Sequence, residues 1–242
     1  MSAETEYAKV LRWYAPSSGV TGMRTTITLP TKYNSTDSVV MKGRKGNGFV
    51  NFYIAADGAG HHVECGLSIN YENRQGNWHY FWTDGGSGTA GGGDWVIAPG
   101  STVPIEVSIN SSKTAIDFKV NGVTAKSFTG TFSDPATLSN VRLVIASCDQ
   151  NFVKLENGKV VPDIVPVPLP DWTLLHNQVT CSNIQYRNTS NTWVTCTSTN
   201  SSPPTEELHW PIPSASHPHQ GEPFNFIKQI SSGQLIASLK DF

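Results

Sequence analysis

What most constrains this chain is its punctuation. Short stretches of alternating apolar and polar residues recur throughout, each closed by a cluster of Gly, Pro, Asn or Ser, and long helical periodicity is almost absent. Strand side chains alternate between two faces, so this pattern describes half-buried β-strands joined by tight turns. Strands are predicted at 7–14, 21–29, 37–42, 48–57, 62–71, 77–83, 94–98, 102–109, 114–120, 123–132, 140–147, 178–187 and 191–198. Asn121-Gly122, between two alternating runs, predicts a two-residue type I′ hairpin. Many short, regularly spaced strands argue for an all-β sandwich or jelly roll. One such domain can run to about 250 residues, so the 242 residues need only one. The sandwich is expected to occupy residues 1–198. Residues 199–242, with six prolines before residue 224, are expected to form an irregular arm and C-terminal segment packed on the same domain.

Composition removes several classes of partner. Lys plus Arg is 17 and Asp plus Glu is 19, a formal charge of −2. There is no basic excess to attract nucleic acid or an anionic membrane surface. No apolar run approaches the roughly 18 residues of a membrane helix. The first six residues, Met1-Ser2-Ala3-Glu4-Thr5-Glu6, lack the basic and apolar regions of a signal peptide. Asn34, Asn110, Asn188 and Asn200 each begin an Asn-X-Ser/Thr triplet, which motivates an extracellular expectation.

Four cysteines are present: Cys65, Cys148, Cys181 and Cys196. A two-residue turn at Asn188-Thr189 would set Cys181 opposite Cys196, so a Cys181–Cys196 disulfide is expected, with buried free thiols as the alternative. None of the spacings is CxxC, and His61-His62 would face opposite ways on a strand, so no metal centre is expected.

Alternation also defines a candidate binding face. In 50–57, Val50, Phe52, Ile54 and Ala56 oppose Asn51, Tyr53, Ala55 and Asp57. In 63–71, Val63, Cys65, Leu67, Ile69 and Tyr71 oppose Glu64, Gly66, Ser68 and Asn70. In 141–146, Val141, Leu143 and Ile145 oppose Arg142, Val144 and Ala146. The polar faces together hold Tyr53, Asp57, Glu64, Ser68, Asn70 and Arg142. Strand 78–82 is two-faced: Trp78, Tyr80 and Trp82 on one side, His79 and Phe81 on the other. With Trp78, Tyr80 and Trp82 on the polar surface, flat rings would lie beside short hydrogen-bonding groups, the mixture that a sugar or an extended peptide requires. The alternative puts those three rings in the core and leaves His79 and Phe81 outside.

The order of these segments resembles the glutamic peptidase (eqolisin) family, which has a concanavalin-A-like jelly roll. The resemblance rests on Ala55-Ala56-Asp57-Gly58, Val63-Glu64-Cys65-Gly66, Trp78-His79-Tyr80-Phe81-Trp82, Pro99-Gly100-Ser101, the Asn121-Gly122 turn, Leu143-Val144-Ile145-Ala146, and Pro170-Asp171-Trp172 leading to Cys181. It implies that the family's catalytic Gln corresponds to Glu64 and its catalytic Glu to Ala146. That chemistry needs a carboxylate base and an amide that stabilises the oxyanion. The partner carboxylate is missing, although Asp149 follows closely.

The resulting expectation is a secreted carbohydrate-binding, lectin-like protein using an aromatic face, with carbohydrate or an extended peptide as partner. The alternatives are an enzyme on the same face, with Glu64 catalytic, or an assembly or toxin-like protein. No cofactor is expected. Calcium held by Asp84 and Asp94, as legume-type lectins of similar fold hold it in loops, is one candidate ion, and His217 and His219, two residues apart, could share another.

Overall fold

The computed structural model describes residues 7–31, 49–70, 78–93, 96–149, 153–156, 159–162, 176–209 and 226–239. The strands are β1 (Tyr7–Tyr14), β2 (Val20–Thr28), β3 (Phe49–Gly58), β4 (His61–Asn70), β5 (His79–Asp84), β6 (Thr89–Gly92), β7 (Thr102–Ile109), β8 (Ala115–Val120) and β9 (Val123–Thr129). They continue with β10 (Ser139–Asp149), β11 (Val153–Glu156), β12 (Lys159–Pro162), β13 (His176–Asn188), β14 (Trp193–Thr195), β15 (Thr205–His209), β16 (Phe226–Ser231) and β17 (Gln234–Leu239). Two large antiparallel sheets result. The first is seven-stranded, in the order β15-β1-β10-β3-β4-β5-β6. The second is eight-stranded, β16-β17-β13-β2-β7-β8-β9 with β14 added alongside β13. The architecture is the all-β sandwich of a jelly roll.

Alternation explains how the sheets meet. Leu11 and Trp13, Phe52 and Ile54, Val63, Cys65 and Leu67, and Leu143 and Ile145 project from the seven-stranded sheet into one core. Met23 and Ile27, Val103, Ile105 and Val107, Ile116 and Phe118, and Val179 answer from the other sheet. Side chains this fully removed from water each contribute about 1.5–3 kcal/mol. The expected Asn121-Gly122 hairpin is present. Val120 pairs directly with Val123, and both turn residues have positive φ, +51° and +78°, as a type I′ turn requires.

Three expectations differ. First, the glycine-rich stretch 85–93, where no strand is predicted, contains edge strand β6. Second, the Pro-rich and C-terminal segments contribute β15 to one sheet, and β16 and β17 to the other. Third, Cys181 and Cys196 are free and buried, with no disulfide between them. The cause is register. Arg187 pairs with Trp193 rather than Ser190, and the Cys196 amide donates to the Ile184 carbonyl at 2.9 Å. Cys181 lies three residues farther along β13, opposite Ile27 and Leu235, about 10 Å from Ile184 at strand rise. Burial pushes both thiols up to about 12. The predicted strand 37–42 lies outside the described residues.

Candidate functional site

The face of the seven-stranded sheet directed away from the core is organised in rows across β1, β10, β3, β4 and β5. One row runs Tyr14, Arg142, Ala55, Glu64, Thr83. The next runs Arg12, Val144, Tyr53, Gly66, Phe81, and a third Val10, Ala146, Asn51, Ser68, His79. Val10, Tyr53, Ala55, Val144 and Ala146 form a separate buried apolar cluster, with Phe81 packed against it. The Tyr53 and Phe81 rings meet edge-on, with centroids 5.8 Å apart, on either side of Gly66. A β-carbon at Gly66 would run into the Phe52 carbonyl and the Tyr53 Cα, so only glycine fits between those rings.

Polar groups gather at the turn end of this apolar floor. His62 Nδ1 is hydrogen-bonded to Asp57 Oδ1, and its Nε2 lies 3.9 Å from Glu64 Oε1. Asn140 Nδ2 donates to Asp57 Oδ2 at 2.6 Å. Arg142 donates to the Asn140 carbonyl at 2.9 Å and stands over the Tyr14 ring at 5.9 Å. Burial acts to raise the Asp57 pKa. The hydrogen bonds from Asn140 and His62, with the nearby positive charge of His62 and Arg142, outweigh it and hold the carboxyl below its ordinary value. Burial alone lowers the pKa of His79 and favours its neutral form. On the far side, Arg12 pairs with Glu207 of β15. Three buried polar atoms on this one face have no hydrogen-bond partner among the described residues: Arg12 Nε, Asn51 Oδ1 and Arg142 Nε.

The expected site residues divide accordingly. Tyr53, Asp57, Glu64, Ser68 and Arg142 share the outer face. Asn70 ends β4 opposite Phe49, and its side chain lies outside the described ones. Trp78 is a correction: it is fully buried in the core and stacks on Phe52 at 5.0 Å. Tyr80 and Trp82 are corrected with it. They point to the same inner side and pack edge-on against Phe118 and Phe128 of the opposite sheet. The reason is parity: β5 pairs with β4 so that Tyr80 shares a row with core Leu67, and Trp82 with core Cys65. His79 and Phe81 take the outer positions instead.

Sequence reading missed Arg12, His62 and Asn140 as members of the face, and placed Asn51 on it without naming it as a site residue. The signal for His62 was available, because His61 and His62 do face opposite ways. His61 turns inward, where it joins Asp84 Oδ2 at 2.8 Å and the Thr129 carbonyl at 2.9 Å. The two positions matched to the peptidase dyad share a face but not a neighbourhood. Ala146 lies in the row of Ser68, while Glu64 lies in the row of Arg142. Four residues along a strand separate those rows by about 13 Å. On β10, the residue in the Glu64 row is therefore a cation. As for calcium, the Asp84 carboxylate accepts hydrogen bonds from His61, Ser87, and the Gly86 and His62 amides. Asp94, His217 and His219 lie outside the described residues.

No protein-family model matches the chain, and no curated protein matches it. Among solved structures, scytalido-glutamic peptidase with a peptide-based transition-state analog matches at a TM-score of 0.56 and 10% identity, covering 96% of this chain and 98% of that one. The same peptidase with a transition-state analog inhibitor matches at 0.55 and 10% identity, covering 98% and 99%. These likenesses show a shared fold.

Proposed function

We propose that the outer face of the seven-stranded sheet is a carbohydrate-binding surface centred on Glu64, Arg142, His62 and Asp57. The observation that carries this reading is the set of incompletely bonded polar atoms there, Arg12 Nε, Asn51 Oδ1 and Arg142 Nε. A buried polar group without a partner costs about 1–3 kcal/mol, and three on one face are better explained by a ligand than by the fold. The set mixes donors and acceptors, with carboxylates at Asp57 and Glu64. A sugar hydroxyl is both donor and acceptor and suits such a mixture. The partly exposed Phe81 ring, backed by buried Tyr53 and Val144, suits the C–H face of a pyranose. An extracellular setting is part of the proposal. A second reading, hydrolysis on the same face, is favoured by one observation. His62 lies between two carboxylates, Asp57 and Glu64, an arrangement able to hold and pass a proton.

A glycan array on the whole protein, with a casein digest at acidic pH alongside, tests both. Binding is expected in the wild type, with at least about a tenfold loss in Glu64→Gln and Arg142→Gln. Binding that survives both substitutions overturns the site. Glycan release or proteolysis that vanishes in Glu64→Gln favours the hydrolytic reading.

A further inference from the structure

The opposite side of the sandwich carries a different chemistry. On the outer face of the eight-stranded sheet, one row runs Gln185, Arg24, Glu106, Lys119 across β13, β2, β7 and β8. These residues line a groove of about 520 Å³, inside the range of small-molecule sites. A bulge between Ser182 and Gln185, with Asn183 at a φ of +52°, helps to shape it.

Within this groove Arg24 is held from two sides. Its guanidinium stacks on the Trp193 ring at 4.3 Å, and its Nε donates to Gln185 Oε1 at 2.8 Å. Its two terminal nitrogens make no hydrogen bond among the described residues. The groove also has more positive charge than it neutralises. Its one acidic lining residue, Glu106, is taken up by Lys119 at 3.0 Å and by the Ser108 hydroxyl at 2.7 Å. Arg187, 5.6 Å from the same Trp193 ring, spends its donors on Thr21 and the Ile109 carbonyl, none of them a carboxylate.

We infer that this groove is a second binding site, for a carboxylate-bearing sugar such as a uronate unit of an acidic polysaccharide, with Arg24 as its anchor. The fork of two parallel N–H donors matches a planar carboxylate. Stacking on Trp193 and the Gln185 bond fix its orientation in advance, which lowers the ordering cost of binding. Thr26, Asn183 and Gln185 supply partners for ring hydroxyls.

The test is calorimetric titration of the intact protein with trigalacturonate and with its methyl ester. Trigalacturonate is expected to bind and the uncharged ester not to. Arg24→Lys, which keeps the charge and loses the fork, should weaken binding at least about tenfold, and Arg24→Gln further still. Glu64→Gln, on the other face, should leave it unchanged. Equal binding of the ester to wild type overturns the carboxylate assignment without depending on any variant folding. Absence of binding at about 10 mM trigalacturonate, far weaker than most functional sites, also overturns it. So does affinity retained in both Arg24 variants, or lost in Glu64→Gln alone.

Discussion

His61 ties the two sheets of the sandwich together. Its ring joins Asp84 of the seven-stranded sheet to the Thr129 carbonyl of the eight-stranded one. Burial disfavours the imidazolium, but the Thr129 carbonyl and the Asp84 carboxylate outweigh it and raise the pKa above 6.5. For Asp84, burial acts upward, but Ser87, His61 and the Gly86 amide bring the net pKa below 3.8. The signs set a window. A raised histidine pKa contributes stability fully below about 6.5, lost as pH rises through the folded value. A depressed aspartate pKa contributes above about 3.8, lost as pH falls through the folded value. The His61–Asp84 pair should therefore stabilise most between about pH 4 and 6.5, while His79, whose burial-lowered pKa acts in the opposite sense, loses its contribution as pH falls below 6.5. In His61→Gln the decline above pH 6.5 should flatten, as checked by melting temperature against pH in both proteins. The same scale explains the Asn-X-Ser/Thr triplets. The Asn110 carboxamide bonds the Thr114 and Ala115 amides, and that of Asn200 bonds Thr197 and Thr195. At those two positions the triplet is turn chemistry. Asn34 lies outside the described residues.

Among the elements, β5 separates what alternation can reveal from what it cannot. Strand positions, the type I′ hairpin and the two faces of β3, β4 and β10 follow from period-2 patterning, because one face there is clearly apolar. In β5 both faces carry aromatics, so the pattern has two solutions, and only pairing with β4 selects one. The neighbouring glycine run was unreadable for a related reason. A β-carbon at Gly91 would strike the Trp82 ring, and one at Gly93 the Tyr80 ring. Glycines that look like a flexible loop are an edge against which two large rings pack. The Cys181–Cys196 pairing failed on a three-residue register difference, set by a turn from Asn188 to Thr192 whose amides bond the Asn188 side chain. The correction to Trp78 has a measurable consequence. Trp78→Ala should cost about 3–5 kcal/mol by leaving a cavity beside Phe52, read as a lowered urea midpoint. A variant of unchanged stability that had lost glycan binding would instead return Trp78 to the surface.

At the level of the whole molecule, the last described strands are shared between the two layers. Thr205–His209 closes one edge of the seven-stranded sheet against β1. Phe226–Ser231 and Gln234–Leu239 extend the other sheet beyond β13. Between them, Glu206 accepts from the Phe226 amide and pairs with Lys228, joining the two additions across the layers. Ser201 accepts the indole N–H of buried Trp13 at 2.8 Å. None of this was legible from composition, because proline and short polar residues signal irregular backbone, whereas edge strands need little apolar sequence of their own. A chain ending at residue 198 would lose the partner of Trp13 and unpair the edges of β1 and β13, exposing Cys181 and Val179 on the β17 side. Leu235 and Ala237, both buried, would be removed from the core. Losing these side chains, at about 1.5–3 kcal/mol for each large one, and opening two sheet edges removes a large part of the 5–15 kcal/mol typical of a whole domain. The truncated chain should therefore show no cooperative urea transition by circular dichroism, while the full chain shows one. A sharp transition in the 1–198 chain would mean that the sandwich is complete without its final strands.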